Sequence, residues 1–185
     1  MEIRPVIIET ERLFLRGYSP QDMTTLFDHY SKEEIQKRLG HRSEEEYEKE
    51  AYKQKNGYAS YNRSFLLFLL EEKTSQTIFG RCGLHNWFAE HRRAEIGYHI
   101  TIEDYKRKGF MTEAVNAVID YGFTELKLHR IEALVGSTNI PSLKIMEQHH
   151  FVREGLLRQH YYSNGNYEDS VVFSKLSSEY FSSSD

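Results

Sequence analysis

The chain has 185 residues and a formal net charge of −4, from 24 basic and 28 acidic side chains. That length suits a single domain spanning residues 1–185 with a core that needs no staple, and a hydrophobic fraction of 39% excludes disorder. The acidic balance sets up no global field for nucleic acid, and the longest apolar run, Phe65 to Leu70, is far short of the roughly 18 residues of a membrane helix.

Charges interrupt the apolar N-terminal stretch, which lacks a signal-peptide core. The single cysteine, Cys82, has no internal disulfide partner, so a cytoplasmic protein is expected. Ile7 to Arg16 reads as one strand, with Leu13 and Leu15 on one face and Phe14 and Arg16 on the other. Ser19-Pro20 opens a helix through Tyr30. Ser43 and Glu46 form a capping-box signature for a helix from Glu44 to Lys55, stopped at Asn56-Gly57. Phe65 to Leu70 and Ile78 to Leu84 read as a hairpin, followed by a strand from Ala94 to Ile102.

The period then changes. Met111, Ala114, Val115, Val118, Ile119 and Leu126 fall at helical spacing, so Thr112 to Leu126 is an amphipathic helix. Arg130 to Val135 reads as a strand, Pro141 to His149 as a helix and Phe151 to Tyr162 as a strand. Asn164-Gly165 turns the chain into a last strand, Tyr167 to Leu176, before a frayed serine-rich end at Ser182 to Ser184. This order predicts a mixed α/β sandwich with a central, mostly antiparallel sheet and one βαβ unit.

The chemistry concentrates at Tyr105 to Ala114, YKRKGFMTEA. A strand running through a basic, glycine-containing turn into a helix presents free backbone N–H groups and a positive dipole end, which suits a pyrophosphate. The single Gly109 excludes a Rossmann fingerprint, GxxxxGK[ST] is absent, and no histidines pair at metal-ligand spacing, so no metal is expected. Cys82, within FGRCGL, reads as a small buried hydrophobe.

Taken in order, AEIGYHI (Ala94 to Ile100), YKRKGFMTEA and NIPSLKIMEQHHF (Asn139 to Phe151) resemble the GNAT superfamily of N-acetyltransferases. The likeness is to the branch of ribosomal-protein N-terminal acetyltransferases, and ETERLFLRGYSPQD and REGLLRQHYYSNGNYEDSVVFSKL extend it to nearly the whole chain. The resemblance implies a GNAT-like sandwich with a splayed central sheet and transfer of an acetyl group from acetyl-CoA to a primary amine. The implied acceptor is a protein or peptide α-amine, a ribosomal N-terminus among them. The alternatives are a small amine such as a polyamine or antibiotic, or a CoA-binding module without catalysis. No nucleic acid or membrane partner is implied, and the assembly is a monomer or homodimer.

By the same resemblance, Ile100, Thr101 and Ile102 contact the pantetheine arm. Lys106, Arg107, Lys108, Gly109, Phe110, Met111 and Thr112 hold the pyrophosphate, and Asn139, Ser142 and Lys144 approach the cofactor from a later helix. Arg107 stands where a second glycine is common, Met146 where many members carry a tyrosine acid, and His150 where a glycine precedes the closing Phe.

Acetyl transfer needs a neutral amine, a stabilised oxyanion and a protonated leaving thiolate. Two carboxylates compete as base. Glu95 lies in an apolar strand where burial would raise its pKa, although simple alternation also points it outward; Glu103 lies at the strand end. Glu95 is preferred. A backbone N–H from Gly97 to Ile102 would hold the oxyanion, Gly97 allowing close approach. Ser142, then Tyr161 or Tyr162, would protonate the thiolate. Trp87, Phe88, Tyr98, Tyr161, Tyr162 and Tyr167 could line an acceptor groove. Glu168 and Asp169 could bind the amine, and the acidic Glu44 to Glu50 segment could attract a basic tail.

Overall fold

A computed structural model describes residues 3, 5–57, 64–163 and 165–182. The chain runs through β1 (Val6–Glu9), β2 (Leu13–Tyr18), α1 (Pro20–His29), α2 (Lys32–Leu39), α3 (Glu44–Asn56), β3 (Ser64–Glu72), β4 (Ile78–Phe88) and β5 (Arg93–Ile100). It continues through α4 (Phe110–Thr124), β6 (Arg130–Gly136), α5 (Ile140–Gln148), β7 (Val152–Ser163), β8 (Asn166–Leu176) and α6 (Ser177–Ser182). The strands form one eight-stranded sheet in the order β1-β2-β3-β4-β5-β6-β8-β7. Every neighbouring pair is antiparallel except β5 and β6, which α4 connects.

The run Phe65 to Leu70 is apolar throughout because β3 is covered on both faces. Phe65 and Leu69 pack with Met23 and Leu26 of α1 and Ile35 and Leu39 of α2, whereas Leu66, Phe68 and Leu70 face the larger core under α4. Each side chain so buried contributes about 1.5–3 kcal/mol. From α4, Met111, Ala114, Val115, Val118, Ile119 and Phe123 enter that core at helical spacing. Gly122 lets the helix close down on the sheet, because a Cβ there would come within 2.9 Å of Ile131 Cδ1.

The predicted single strand Ile7 to Arg16 is instead two strands with a reversal at residues 10–12. No glycine or proline marks this turn; a carboxylate from far along the chain closes it. Glu113 on α4 accepts the Thr10 hydroxyl (2.7 Å), the Arg12 N–H (2.9 Å) and the Arg12 Nε (2.6 Å). Helix α2 was not expected, although its signals are present: Ser31 and Glu34 form a reciprocal capping box and Gly40 ends it at φ +68°. At α3 the Ser43 side chain accepts the Glu46 N–H, but the Glu46 carboxylate takes the N–H of Arg42 rather than that of Ser43.

Strand β5 ends at Ile100, two residues early, because residues 103–105 wind into a 3-10 turn; α4 starts at Phe110 rather than Thr112. At the last hairpin, Ser163 pairs with Asn166 and Gly165 has φ +83°. Asn164 lies outside the described residues, as do residues 183–184 of the serine-rich end.

Burial alone would raise the Glu113 carboxyl, but the Thr10 hydroxyl, the Arg12 N–H and the Arg12 guanidinium outweigh it and hold the group below its ordinary value. A depressed carboxylate contributes stability above its unfolded pKa and loses it as pH falls through the folded one. Glu113→Gln is expected to cost about 1–2 kcal/mol at pH 7, at the low end because the Arg12 side chain is 40% exposed. Urea melts at pH 7 and pH 3 should show that deficit shrinking at the acidic end.

Candidate active site

Parallel pairing of β5 with β6 covers only Arg93 to Glu95 against Arg130 to Glu132. Beyond Glu95 the strands part: β6 continues against β8 and β5 against β4. Among the described residues the β6-facing edge of residues 96–100 has no strand partner, so alternate N–H and C=O groups there are open to a ligand. The closed end is latched by ions, with Arg93 bonded to Glu132 (2.6 Å), Arg130 to Glu132 (3.1 Å) and Arg130 to Glu154 (2.6 Å).

The open end leads into a cleft of about 600 Å³ lined by Tyr98, Ile100, Glu103, Lys106, Arg107, Gly109 to Thr112, Asn139 and Ser142. Gly109 caps α4 at φ +78° with no side-chain cap, and the first helical bond runs from the Glu113 N–H to the Gly109 carbonyl. The preceding N–H groups, Phe110 to Thr112, therefore have no intrahelical acceptor. Phe110 and Met111 bury their side chains in the core and offer the cleft their backbone. The turn itself is clamped by Arg12, which bonds the Lys108 carbonyl (3.0 Å) and stacks 4.3 Å over the Phe110 ring. An uncapped helix start, the cations Lys106 and Arg107 and an open strand edge in one cleft fit a CoA thioester, with its pyrophosphate and amide arm.

A second cavity, about 580 Å³, lies on the opposite face of the sheet between α3 and β3–β5. Tyr98 and His99 border both spaces. Burial pushes the Tyr98 hydroxyl up to about 12, against a lowering effect of the Ser142 side chain, so it stays a protonated donor at the junction, 3.5 Å from the Ser142 carbonyl. Glu50 is buried on the cavity wall and bonded to Arg81 (2.9 Å) and Lys53 (3.7 Å). His85 lines the cavity with its Nε2 3.3 Å from Glu95 Oε1, and Asn86 donates to Glu95 Oε2 at 2.9 Å.

Comparison with known proteins agrees with this fold. Residues 12–152 match the model of the Acetyltransferase (GNAT) domain. The chain belongs to the GNAT acetyltransferase family. It is 35% identical over 169 residues to the uncharacterised N-acetyltransferase YoaA of Bacillus subtilis, covering 91% of this chain and 95% of that one. YdaF of Bacillus subtilis, provisionally assigned as a ribosomal N-acetyltransferase, is 36% identical over 104 residues, 56% of each chain. The dodecameric structure of spermidine N-acetyltransferase from Vibrio cholerae superposes with a TM-score of 0.68 at 27% identity, covering 95% of this chain and 100% of that one. The protein is thus an N-acetyltransferase of a family that uses acetyl-CoA and an amine acceptor.

Against that family pattern, several expected residues stand away from the cleft. Thr101 turns its N–H and hydroxyl onto the Phe79 carbonyl (2.9 Å each), Ile102 packs into the core, Lys108 lies 6.0 Å over the Tyr105 ring, and Lys144 is exposed on α5. Glu103 borders the cleft as an exposed ion pair with Lys106 (2.6 Å), whose bond holds its carboxyl down. Glu95 does not carry the raised pKa expected of it: burial pulls upward, but the His85 and Asn86 hydrogen bonds and the charges of His85 and His160 pull it net downward. Gly97 gives room to a protein group, since a Cβ there would lie 2.7 Å from His85 Cε1.

Asp169 accepts the Gln159 N–H (2.7 Å) and holds a β7 bulge. Tyr161, Tyr162 and Tyr167 are exposed beyond both spaces, Phe88 stacks with Arg93, and Trp87 packs on the core. The carboxylates at the start of α3 are matched: Lys32 pairs with Glu44 and Lys49 with Glu45. Cys82 is buried, and burial pushes its thiol up.

The three departures from the family pattern now have a geometry. Arg107 (φ +59°) and His150 (φ +56°) both sit in the left-handed region where glycine is at ease. His150 closes a Schellman motif, with His150 N–H on Glu147 and Phe151 N–H on Met146. Met146 is fully buried, the core contact beneath that motif. Arg107→Gly is expected to raise the unfolding free energy by about 1 kcal/mol, net of the unfolded chain's added freedom. Gly109→Glu, by contrast, should abolish acetyl-CoA binding in calorimetry; unchanged affinity would place the ligand elsewhere.

Proposed function

We propose that this N-acetyltransferase acts on the α-amine of a protein or peptide N-terminus, with acetyl-CoA bound along the β5 edge and at the start of α4. The observation that carries this reading is the wall of the second cavity. Glu50 is the one carboxylate among the described lining residues, and Arg81 and Lys53 already engage it. The neighbouring Glu95 is taken up by His85 and Asn86. A polycation entering there meets two cations and no unengaged carboxylate, whereas a peptide brings one amine followed by carbonyls that Arg81, Lys53 and His99 can bond.

Gly109 to Thr112 would hold the pyrophosphate, and the open backbone of residues 97–100 would flank the pantetheine arm and the oxyanion. Acetyl-CoA supplies the activated acyl thioester. Tyr98, a protonated hydroxyl between the two spaces, is better placed than Tyr161 or Tyr162 to protonate the leaving thiolate, with Ser142 beside it. An α-amine, with an unperturbed pKa near 8, needs less help to lose its proton than a lysine or polyamine does.

Acetylation of a small polyamine is the second reading, favoured by the likeness to the spermidine N-acetyltransferase fold along 95% of the chain. The test is a panel of peptides with free or blocked N-termini, run beside spermidine and an aminoglycoside, with products located by mass spectrometry. Peptides with free N-termini should be acetylated at the α-amine with a kcat/KM at least about tenfold above spermidine. Efficient acetylation of spermidine with every peptide inert would overturn the peptide reading.

A further inference from the structure

We infer that the general base is His85, and that Glu95 acts as the carboxylate that orients it. In a regular strand, residues 85 and 86 would point to opposite faces of the sheet. Here the β4–β5 register shifts between His85 and Phe88, and Asn86 adopts φ +46°. This bulge brings two consecutive side chains onto one carboxylate, His85 at 3.3 Å from Oε1 and Asn86 at 2.9 Å from Oε2. Bulges and left-handed residues that re-aim side chains in this way gather at active sites.

The ring is seated by what Gly97 lacks. A Cβ there would fall 2.7 Å from His85 Cε1 and 3.2 Å from Nδ1, but 3.8 Å from Nε2. Nε2 thus points to Glu95, while Nδ1 lies over the open part of β5, where the sheet has parted from β6. With Nε2–H donating to the carboxylate, the Nδ1 lone pair is the free one. His85 borders the acceptor cavity and is 45% exposed, whereas Glu95 is 14% exposed and lies behind it. A carboxylate held below its ordinary value by two donors is a poor acceptor for an ammonium proton.

The step balances. Nδ1 takes one proton from the ammonium, and the neutral amine forms the C–N bond as the C–S bond breaks. Tyr98 gives its hydroxyl proton to the departing thiolate and regains one from the amine nitrogen, and the imidazolium returns its proton to solvent. This holds for either class of acceptor.

The test uses the full chain with acetyl-CoA and, in parallel, an alanine-initiated peptide and spermidine, read on whichever is acetylated. His85→Ala should leave acetyl-CoA affinity unchanged in calorimetry, lower kcat by about 10²-fold and remove the acidic limb of the pH–rate profile. Added imidazole should restore at least about tenfold, which a packing role would not allow. Other titratable groups face the ring from around the cavity: Arg81 on β4, His99 on β5, and Glu50 and Lys53 on α3. His160 on β7 acts on Glu95, so the profile is compared with a His160→Gln chain.

Retention of the acidic limb in His85→Ala, with its loss in Glu95→Gln, would make Glu95 the base and overturn the proposal. An unrescued loss would do the same. Should neither amine be acetylated or the variant fail to fold, histidine ¹⁵N spectra of the unmodified protein decide. The Nε2–H tautomer at His85, shifting in Glu95→Gln, supports the dyad; the Nδ1–H tautomer, with no lone pair toward the cavity, rejects it.

Discussion

Everything at this site depends on β5 and β6 running together for only three residues. A parallel pair in mid-sheet would ordinarily leave no open backbone, because both edges of each strand are satisfied. Here the Arg93–Glu132–Arg130–Glu154 latch holds the lower end closed while α5 and Tyr98 occupy the upper. The result is an unpaired strand edge inside a sheet, shielded from edge-to-edge aggregation yet available to a ligand. On one side it opens toward the α4 terminus, and on the other toward the cavity under α3, so the two cavities share a single strand as their wall.

The cation-rich turn is held in place by the start of the chain. Arg12 reaches the Lys108 carbonyl, the Phe110 ring and Glu113, and Glu113 closes the β1–β2 turn in exchange. This contact spans about a hundred residues and couples the outermost hairpin of the sheet to the start of α4. It orders the turn by outside bonds, so the turn retains its shape although Arg107 occupies a left-handed position that costs roughly 1–2 kcal/mol for a residue with a Cβ. His150 shows the same pattern at the end of α5, where two carbonyl bonds and the Met146–Phe151 contact fix the backbone regardless of residue type. The loss of a family glycine is therefore not evidence of a lost function at either position.

The two carboxylates weighed as bases differ in what surrounds them. Glu103 is a solvated partner of Lys106, and Glu95 is a nearly buried acceptor of two hydrogen bonds. Burial by itself would have favoured a proton on Glu95; the donors supplied by one bulge reverse the sign. The charge of the site then resides in a network, with the imidazole as its exposed member.

Local signals were enough for the family, the mixed α/β class, the α4 face and the glycine turn, because each is written in short-range periodicity or a contiguous motif. Helix α2 was equally legible from Ser31, Glu34 and Gly40. The sequence alone also marked Gly109 to Thr112, Asn139 and Ser142, which the fold gathers into one cleft. The β1–β2 turn was not legible, since its closing carboxylate comes from α4. The His85–Glu95–Asn86 cluster was not legible either, because alternation assigns neighbouring residues to opposite faces and a bulge cancels that rule without leaving a glycine to announce it. The sequence by itself marked the backbone and cations of the glycine turn; only the tertiary structure decided which side chains gather at the second cavity, because strand divergence and a bulge, both set by contacts distant in the chain, orient that half of the site.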